Sequence, residues 1–239
     1  MENTIKKINI IFAIALLIVI IITLCIDTTK STETIDASEK EISNKIKILI
    51  DPGHGGVDQG ASGNLKKPEA PINLEISQKL MKFLEASGFE VFMTRYEDKG
   101  LYTEKSTTIR AKKNEDLANR VKAINNSEAD LAISIHLNSF TQKQYYGAHV
   151  FYQKKFDTTK VAADILQDNM IKILDNSNNR VAQIKKDIKI MDDTNIPTIL
   201  IECGFLSNAE EEKKLISEEY QEKIAWAIYA GLIQYFNQL

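Results

Sequence analysis

Only three histidines occur in the 239 residues, and two of them sit where an apolar run meets a loop. Ile48-Leu49-Ile50 leads into Asp51-Pro52-Gly53-His54-Gly55-Gly56, and Leu131-Ala132-Ile133-Ser134-Ile135 leads into His136-Leu137-Asn138. A half-buried imidazole needs partners for both ring nitrogens, and a metal is a common functional partner when a second imidazole and a carboxylate can approach. For either histidine alone, a hydrogen-bonded structural role is the alternative. Glu202 closes the apolar run Ile199-Leu200-Ile201, where an unpaired charge is costly and something must compensate it. Two readings stay open: a salt bridge, or a general base that takes the proton of a metal-activated water. Cys203 is the neighbouring nucleophile. Strand alternation turns it away from Glu202 and apolar surroundings raise a thiol pKa, so it reads as core.

The elements that must position these residues follow from the hydrophobic pattern. Ile46–Ile50, Phe89–Thr94, Leu131–Leu137, Gly147–Tyr152, Ile188–Met191 and Ile199–Ile201 read as strands. Helices are expected over Asn73–Ala86, closed by Gly88; over a segment marked by Leu117, Val121 and Ile124; over Val161–Leu174; and as a final pair running to Leu239. The polar stretch Glu97–Asn114 reads as a loop. Strands apolar on both faces that alternate with helices predict a single α/β domain, a mostly parallel or mixed sheet of about six strands with helices on both sides. Sites in such sheets lie beyond the carboxyl ends of the strands, where His54, His136 and Glu202 all fall.

Composition bounds the remaining possibilities. Thirty basic residues against 33 acidic ones give a net charge of -3, which offers no electrostatic reason to expect nucleic acid. The two cysteines, Cys25 and Cys203, cannot build a disulfide scaffold. Ile8–Ile26 is apolar except for Asn9 and Thr23, long enough as a helix to cross a bilayer, and Lys6 and Lys7 precede it. The positive-inside rule then holds the N-terminus in the cytoplasm and sends the rest outward. The segment lacks the small residues of a signal-peptidase site, so residues 1–27 read as an uncleaved membrane anchor, with secretion the outcome if the leader is cleaved. Residues 28–45 read as a polar tether and 46–239 as the folded domain.

Three motifs taken together resemble the zinc-dependent N-acetylmuramoyl-L-alanine amidases of bacterial cell walls: Ile48 through Ala61 around His54, Ala129 through Ser139 around His136, and Ile201-Glu202-Cys203-Gly204-Phe205-Leu206-Ser207-Asn208. The Ser-Ile-His-Leu-Asn wording and a catalytic domain alone behind an anchor are most similar to the spore-cortex, germination-specific branch. The resemblance implies that His54, Glu69 and His136 hold one Zn2+ per domain and that Glu202 is the catalytic carboxylate. It implies hydrolysis of the amide between N-acetylmuramic acid and L-alanine in peptidoglycan. Two imidazoles and one carboxylate leave a fourth tetrahedral position open, the pattern of a catalytic zinc. Glu69 is placed just before the first helix; Glu75, inside that helix, is its rival. Asp51 and Asn138 are expected to orient a ligand or hold substrate, or to cap turns. Arg95 and Arg120 are expected either to meet the acidic stem peptide or to pair with Asp98 and Asp116. His149 matches no metal position and is expected to be exposed, and Glu210-Glu211-Glu212 to be the solvated face of a helix. An inactive peptidoglycan-binding module of the same fold and a metal-free carboxylate-pair glycosidase are the alternatives. No insert near Asn138 or Glu202 is long enough to occlude the site, so control is expected from outside the domain, by expression, zinc loading or a regulatory protein partner.

Overall fold

The computed structural model describes residues 45–238. The expected anchor over 1–27, and the tether up to its last residue, lie outside the described residues. Among the described residues, no helix is long and apolar enough to cross a membrane. From Ile46 onward the chain forms one compact unit. In chain order its elements are β1 (Lys47–Pro52), α1 (Glu69–Ala86), β2 (Glu90–Met93), α2 (Ile109–Asn125), β3 (Leu131–Asn138), β4 (His149–Tyr152), α3 (Asp157–Leu174), β5 (Gln183–Ile184), α4 (Lys189–Asp192), β6 (Thr198–Phe205), α5 (Ala209–Leu215) and α6 (Glu218–Phe236).

The six strands make one mixed sheet in the order β2-β1-β3-β6-β4-β5. All neighbours run parallel except β4 and β6, which are antiparallel. Alternation along each strand assigns its residues to two faces. Ile48, Ile50, Ile133, Ile135, Ile199 and Ile201 join buried residues of α1, α3 and α6 in the larger core. Leu49, Ala132 and Leu200 face Ile124 of α2 and Ile190 and Met191 of α4 in the smaller one. Helices therefore cover both sides, as the buried-sheet pattern predicts.

Three local expectations are corrected. Ile188–Met191 is not a strand: the four-residue helix α4 occupies Lys189–Asp192, burying Ile190 and Met191 on the smaller core, and the edge strand β5 lies earlier, at Gln183–Ile184. A run this short carries no usable period. Helix α2 begins at Ile109, inside the stretch read as loop. The Thr108 hydroxyl caps it by accepting from Ala111 N, and its first turns are polar because they face solvent. The Glu210–Glu212 run is only partly a solvated face. Glu210 is exposed, but Glu211 accepts from the Gly147 and Phe205 amides, and Glu212, at 1% exposure, accepts from the Asn64 and Leu65 amides. Two carboxylates of α5 thus pin loops that flank the strand ends.

Candidate metal and catalytic centre

Register brings the distant motifs together. In the β3–β6 ladder His136 lies opposite Glu202, and in the β1–β3 ladder Asp51 lies opposite Ser134. These residues share the sheet face whose lower part is the smaller core, so that face becomes polar toward the carboxyl ends of its strands. Cys203 points the other way and is buried in the larger core, where burial pushes its thiol well up, so it takes no part in the site.

Glu69 is the first residue of α1, buried behind Pro68, and its carboxylate is the hub. Its Oε1 is 3.0 Å from His136 Nδ1 and 3.3 Å from His54 Nε2. Asn73 Nδ2 and the Leu137 amide donate to the same oxygen, and the Ala61 amide donates to Oε2, which fixes the carboxyl plane. One nitrogen from each imidazole and one Glu69 oxygen lie within 4.8 Å of one another. Donors ~2.0–2.1 Å from a tetrahedral zinc are separated by about 3.3 Å, close to the contacts to Glu69 here. Glu75, the rival, is exposed on α1 and accepts from Gln221 Nε2.

The electrostatics also favour a cation. Burial would lower the His54 pKa, but its contacts to Asp58 and Glu69 outweigh that and raise it to about 9. Burial would raise the Glu69 carboxyl, yet the two imidazoles hold it well below the usual carboxylate range. A pocket that draws positive charge onto an imidazole suits a divalent ion. Asp58 Oδ2, 3.0 Å from His54 Nδ1, supplies the acceptor that a metal-bound histidine normally has on its far nitrogen, and Lys113 braces the other Asp58 oxygen at 2.7 Å. Sequence reasoning assigned this kind of role to Asp51; the four-residue spacing from His54 to Asp58 was the available signal.

Asp51 serves the framework instead. It is fully buried and bound by Thr94 Oγ1, Ser134 Oγ and Arg120 Nη1 at 2.6, 2.7 and 2.8 Å. Arg120 forms the expected ion pair with Asp116 at 2.6 Å and also donates to the Pro52 and His54 carbonyls. Arg95 does not pair with Asp98. It is 4% exposed and donates to the Pro52, Gly53, Ala70 and Glu97 carbonyls, so its guanidinium is spent on the backbone rather than offered to a ligand. Asp98 accepts from the Gly56 amide and Gln59. The two arginines clamp the loop in which His54 adopts a left-handed φ of 61°, a conformation uncommon outside glycine. Gly53 lets that loop approach β3: a Cβ there would meet the His136 ring at 2.2 Å.

Asn138 turns the chain, its Oδ1 accepting from Ser139 N and its carbonyl from Leu206 N. His149, expected to be exposed, is 7% exposed, lies 4.1 Å from the Phe151 ring and contacts the Val181 carbonyl; burial lowers its pKa to about 4. Glu202 is 7% exposed and its Oε1 meets Lys185 Nζ at 3.0 Å, so the salt-bridge reading holds for that oxygen. Oε2 is buried with no hydrogen-bond partner among the described residues. Lys185 was missed; nothing in its local sequence distinguishes it from the other lysines. Gly53, His54, Asp58, His136, Lys185 and Glu202 line a common cavity of about 490 Å3. An oriented donor triad and a carboxylate with a free oxygen can bind a cation and move a proton in one place.

Comparison with known proteins agrees with that chemistry. The chain is 40% identical over 197 residues to the germination-specific N-acetylmuramoyl-L-alanine amidase of Bacillus subtilis, covering 82% of each. The solved structure of the CwlD amidase from Clostridioides difficile, in complex with the GerS lipoprotein, superposes with a TM-score of 0.79 at 46% identity, covering 82% of this chain and all of that one. An N-acetylmuramoyl-L-alanine amidase from Clostridium difficile 630 gives a TM-score of 0.70 at 31% identity, covering 81% and 98%. A family profile described as N-acetylmuramoyl-L-alanine amidase matches residues 48–234. On this agreement of sequence and fold, the protein belongs to the N-acetylmuramoyl-L-alanine amidase family of enzymes.

Proposed function

We propose that this chain is a zinc-dependent amidase that removes stem peptides from the peptidoglycan of the spore cortex, cutting the amide between the lactyl group of N-acetylmuramic acid and L-alanine. The observation that carries the reading is the triad His54, Glu69 and His136, whose two imidazoles line the same cavity as Glu202. The triad would hold the zinc, which when bound supplies a Lewis acid that polarises the carbonyl and makes water acidic. Asp58 keeps the far nitrogen of His54 engaged, and Asn73 with the Leu137 and Ala61 amides holds Glu69. Glu202 accepts the proton of the attacking water on its carboxylate as the new C–O bond forms. It returns that proton to the L-alanine nitrogen as the C–N bond breaks, so no net charge is left behind.

The spore-cortex assignment draws on the germination-specific relative of Bacillus subtilis. The complex of CwlD with GerS supports control by a lipoprotein partner held at the same membrane as residues 1–27. To test the activity, the full-length protein is incubated with purified cortex peptidoglycan, with and without a chelator, and newly freed N-terminal L-alanine is measured. Chelator-sensitive release, restored by zinc, is expected; absence of release removes the reading. Fractionation of cells making the full chain tests the anchor: recovery with the membrane is expected, recovery as free secreted protein contradicts it.

A further inference from the structure

The acidic stem peptide needs a cation, and the arginines expected to supply it are buried and bound to carbonyls. Lys113, Lys185 and Lys189 line the catalytic cavity, and of these Lys185 is the one paired with Glu202. It stands just past the edge strand β5, which pairs with β4 through Gln183 and Ile184, and ahead of a turn in which Asp187 has φ 62°. Its ammonium lies 3.0 Å from Glu202 Oε1 and 4.4 Å from the centre of the Phe151 ring. The Lys185 side chain is 29% exposed, so its four-carbon stem can swing while the sheet stays fixed.

Lys185 and Asp187 are also shared by a second cavity of about 400 Å3, whose wall includes Lys154, Lys155 and Lys186. The catalytic cavity and a lysine-rich one therefore lie on either side of a shared wall at Lys185 and Asp187. In peptidoglycan the first free carboxylate of the stem is carried by the residue after the released L-alanine. At about 3.3–3.6 Å per extended residue, it sits roughly 6 Å from the scissile nitrogen. Glu202 must come within about 3 Å of that nitrogen to return the proton. Lys185, 3.0 Å from Glu202 Oε1, is therefore no more than one side-chain swing from where that carboxylate must lie.

We propose that Lys185 is the specificity residue that recognises this stem carboxylate. In the free enzyme its ammonium neutralises Glu202; when an acidic stem enters, the substrate carboxylate takes over the ammonium, and the rest of the stem runs across the lysine-walled cavity. Glu202 is then freed on both oxygens as the substrate arrives. The proposal rests on the amidase reading, and the experiment separates the two.

The full-length holoenzyme is assayed on two glycan fragments that differ only in the second stem residue, D-glutamic acid with its α-carboxylate free or D-isoglutamine with that group as an amide. KM and kcat are measured separately, with the free dipeptides L-Ala-D-Glu and L-Ala-D-isoGln as competitive inhibitors. Wild type should favour the acidic stem about tenfold or more in kcat/KM, chiefly through KM, as expected for a hydrogen bond to a charged group. Lys185→Met should bring the ratio near one and equalise the two inhibitors, Lys185→Arg should keep most of the preference, and Lys185→Glu should reverse it. Turnover with no acidic preference in wild type, or a preference that survives in Lys185→Met, overturns the Lys185 proposal and leaves the amidase reading standing. Release of alanine from neither fragment overturns both.

Discussion

Replacing Arg120 by Met is the sharpest perturbation of the framework that shapes the site. The side chain is 2% exposed and holds two carboxylates, Asp51 and Asp116, together with the carbonyls of Pro52 and His54. Removing one side of a buried ion pair leaves an uncompensated charge and costs about 3–5 kcal/mol. Here two carboxylates lose their cation, although Thr94 and Ser134 still satisfy Asp51. Against a total stability of about 5–15 kcal/mol, the variant should remain folded at low temperature but melt about 6–20 °C lower. The pH dependence has a definite sign. Burial would raise the Asp51 carboxyl, but Arg120 and the two hydroxyls hold it below its usual value. A depressed carboxylate contributes stability that is present above its unfolded pKa of about 3.9 and is lost as pH falls through the folded value. The gap between wild type and Arg120→Met should thus be full at pH 7 and shrink below about pH 4. Urea unfolding followed by circular dichroism measures it, with Asp51→Asn and the double variant completing a cycle whose coupling should exceed about 2 kcal/mol. The single variant should also bind zinc more weakly, because the carbonyl of His54 loses its anchor. A loss under 1 kcal/mol, or an additive cycle, refutes the clamp.

Three further outcomes follow from the same geometry. Gly53→Ala places a methyl group 2.2 Å from a His136 ring atom, so the imidazole must move; zinc affinity by calorimetry should fall more than about tenfold while the melting temperature changes far less, and unaltered affinity contradicts the packing. Asp58→Asn weakens the acceptor behind His54 and should lower zinc affinity by about 10–100-fold, read by competition with a chromophoric chelator; a value equal to wild type would show that Asp58 does not orient the ring. His149, depressed to about 4, binds its proton more readily unfolded, so its burial should cost about 2 kcal/mol of stability as pH falls from 6.5 to 4. His149→Gln should flatten that part of the stability curve relative to wild type, and parallel curves would contradict its burial as a neutral ring.

The parts of this molecule that could be read from sequence are those in which one strand period fixes a face. Ile48–Ile50, Leu131–Ile135 and Ile199–Ile201 announce buried parallel strands, and parity alone separates Glu202 from Cys203. The unread parts depend on contacts between segments far apart. Nothing near Lys185 reveals that a short edge strand carries it to Glu202, and nothing near Arg95 reveals that four carbonyls surround it. His149 has the look of an outward residue of an edge hairpin, but β4 is covered by β5 and the loop that precedes β5, which brings the Val181 carbonyl to its ring. Glu211 and Glu212 read as solvated helix charges because the unpaired amides they satisfy belong to other loops. The start of α2 was hidden because a polar helical turn and a polar loop have the same composition, and only the Thr108 cap tells them apart.

The central claim, that His54, Glu69 and His136 gather one zinc ion beside Glu202, is tested most directly by zinc-edge X-ray absorption on the full-length protein loaded with one equivalent of metal. The account predicts a shell of nitrogen and oxygen only, four or five ligands at about 2.0–2.1 Å with the outer-shell pattern of two imidazoles. A sulfur contribution near 2.3 Å, or the same imidazole pattern retained in a variant lacking both His54 and His136, would contradict it.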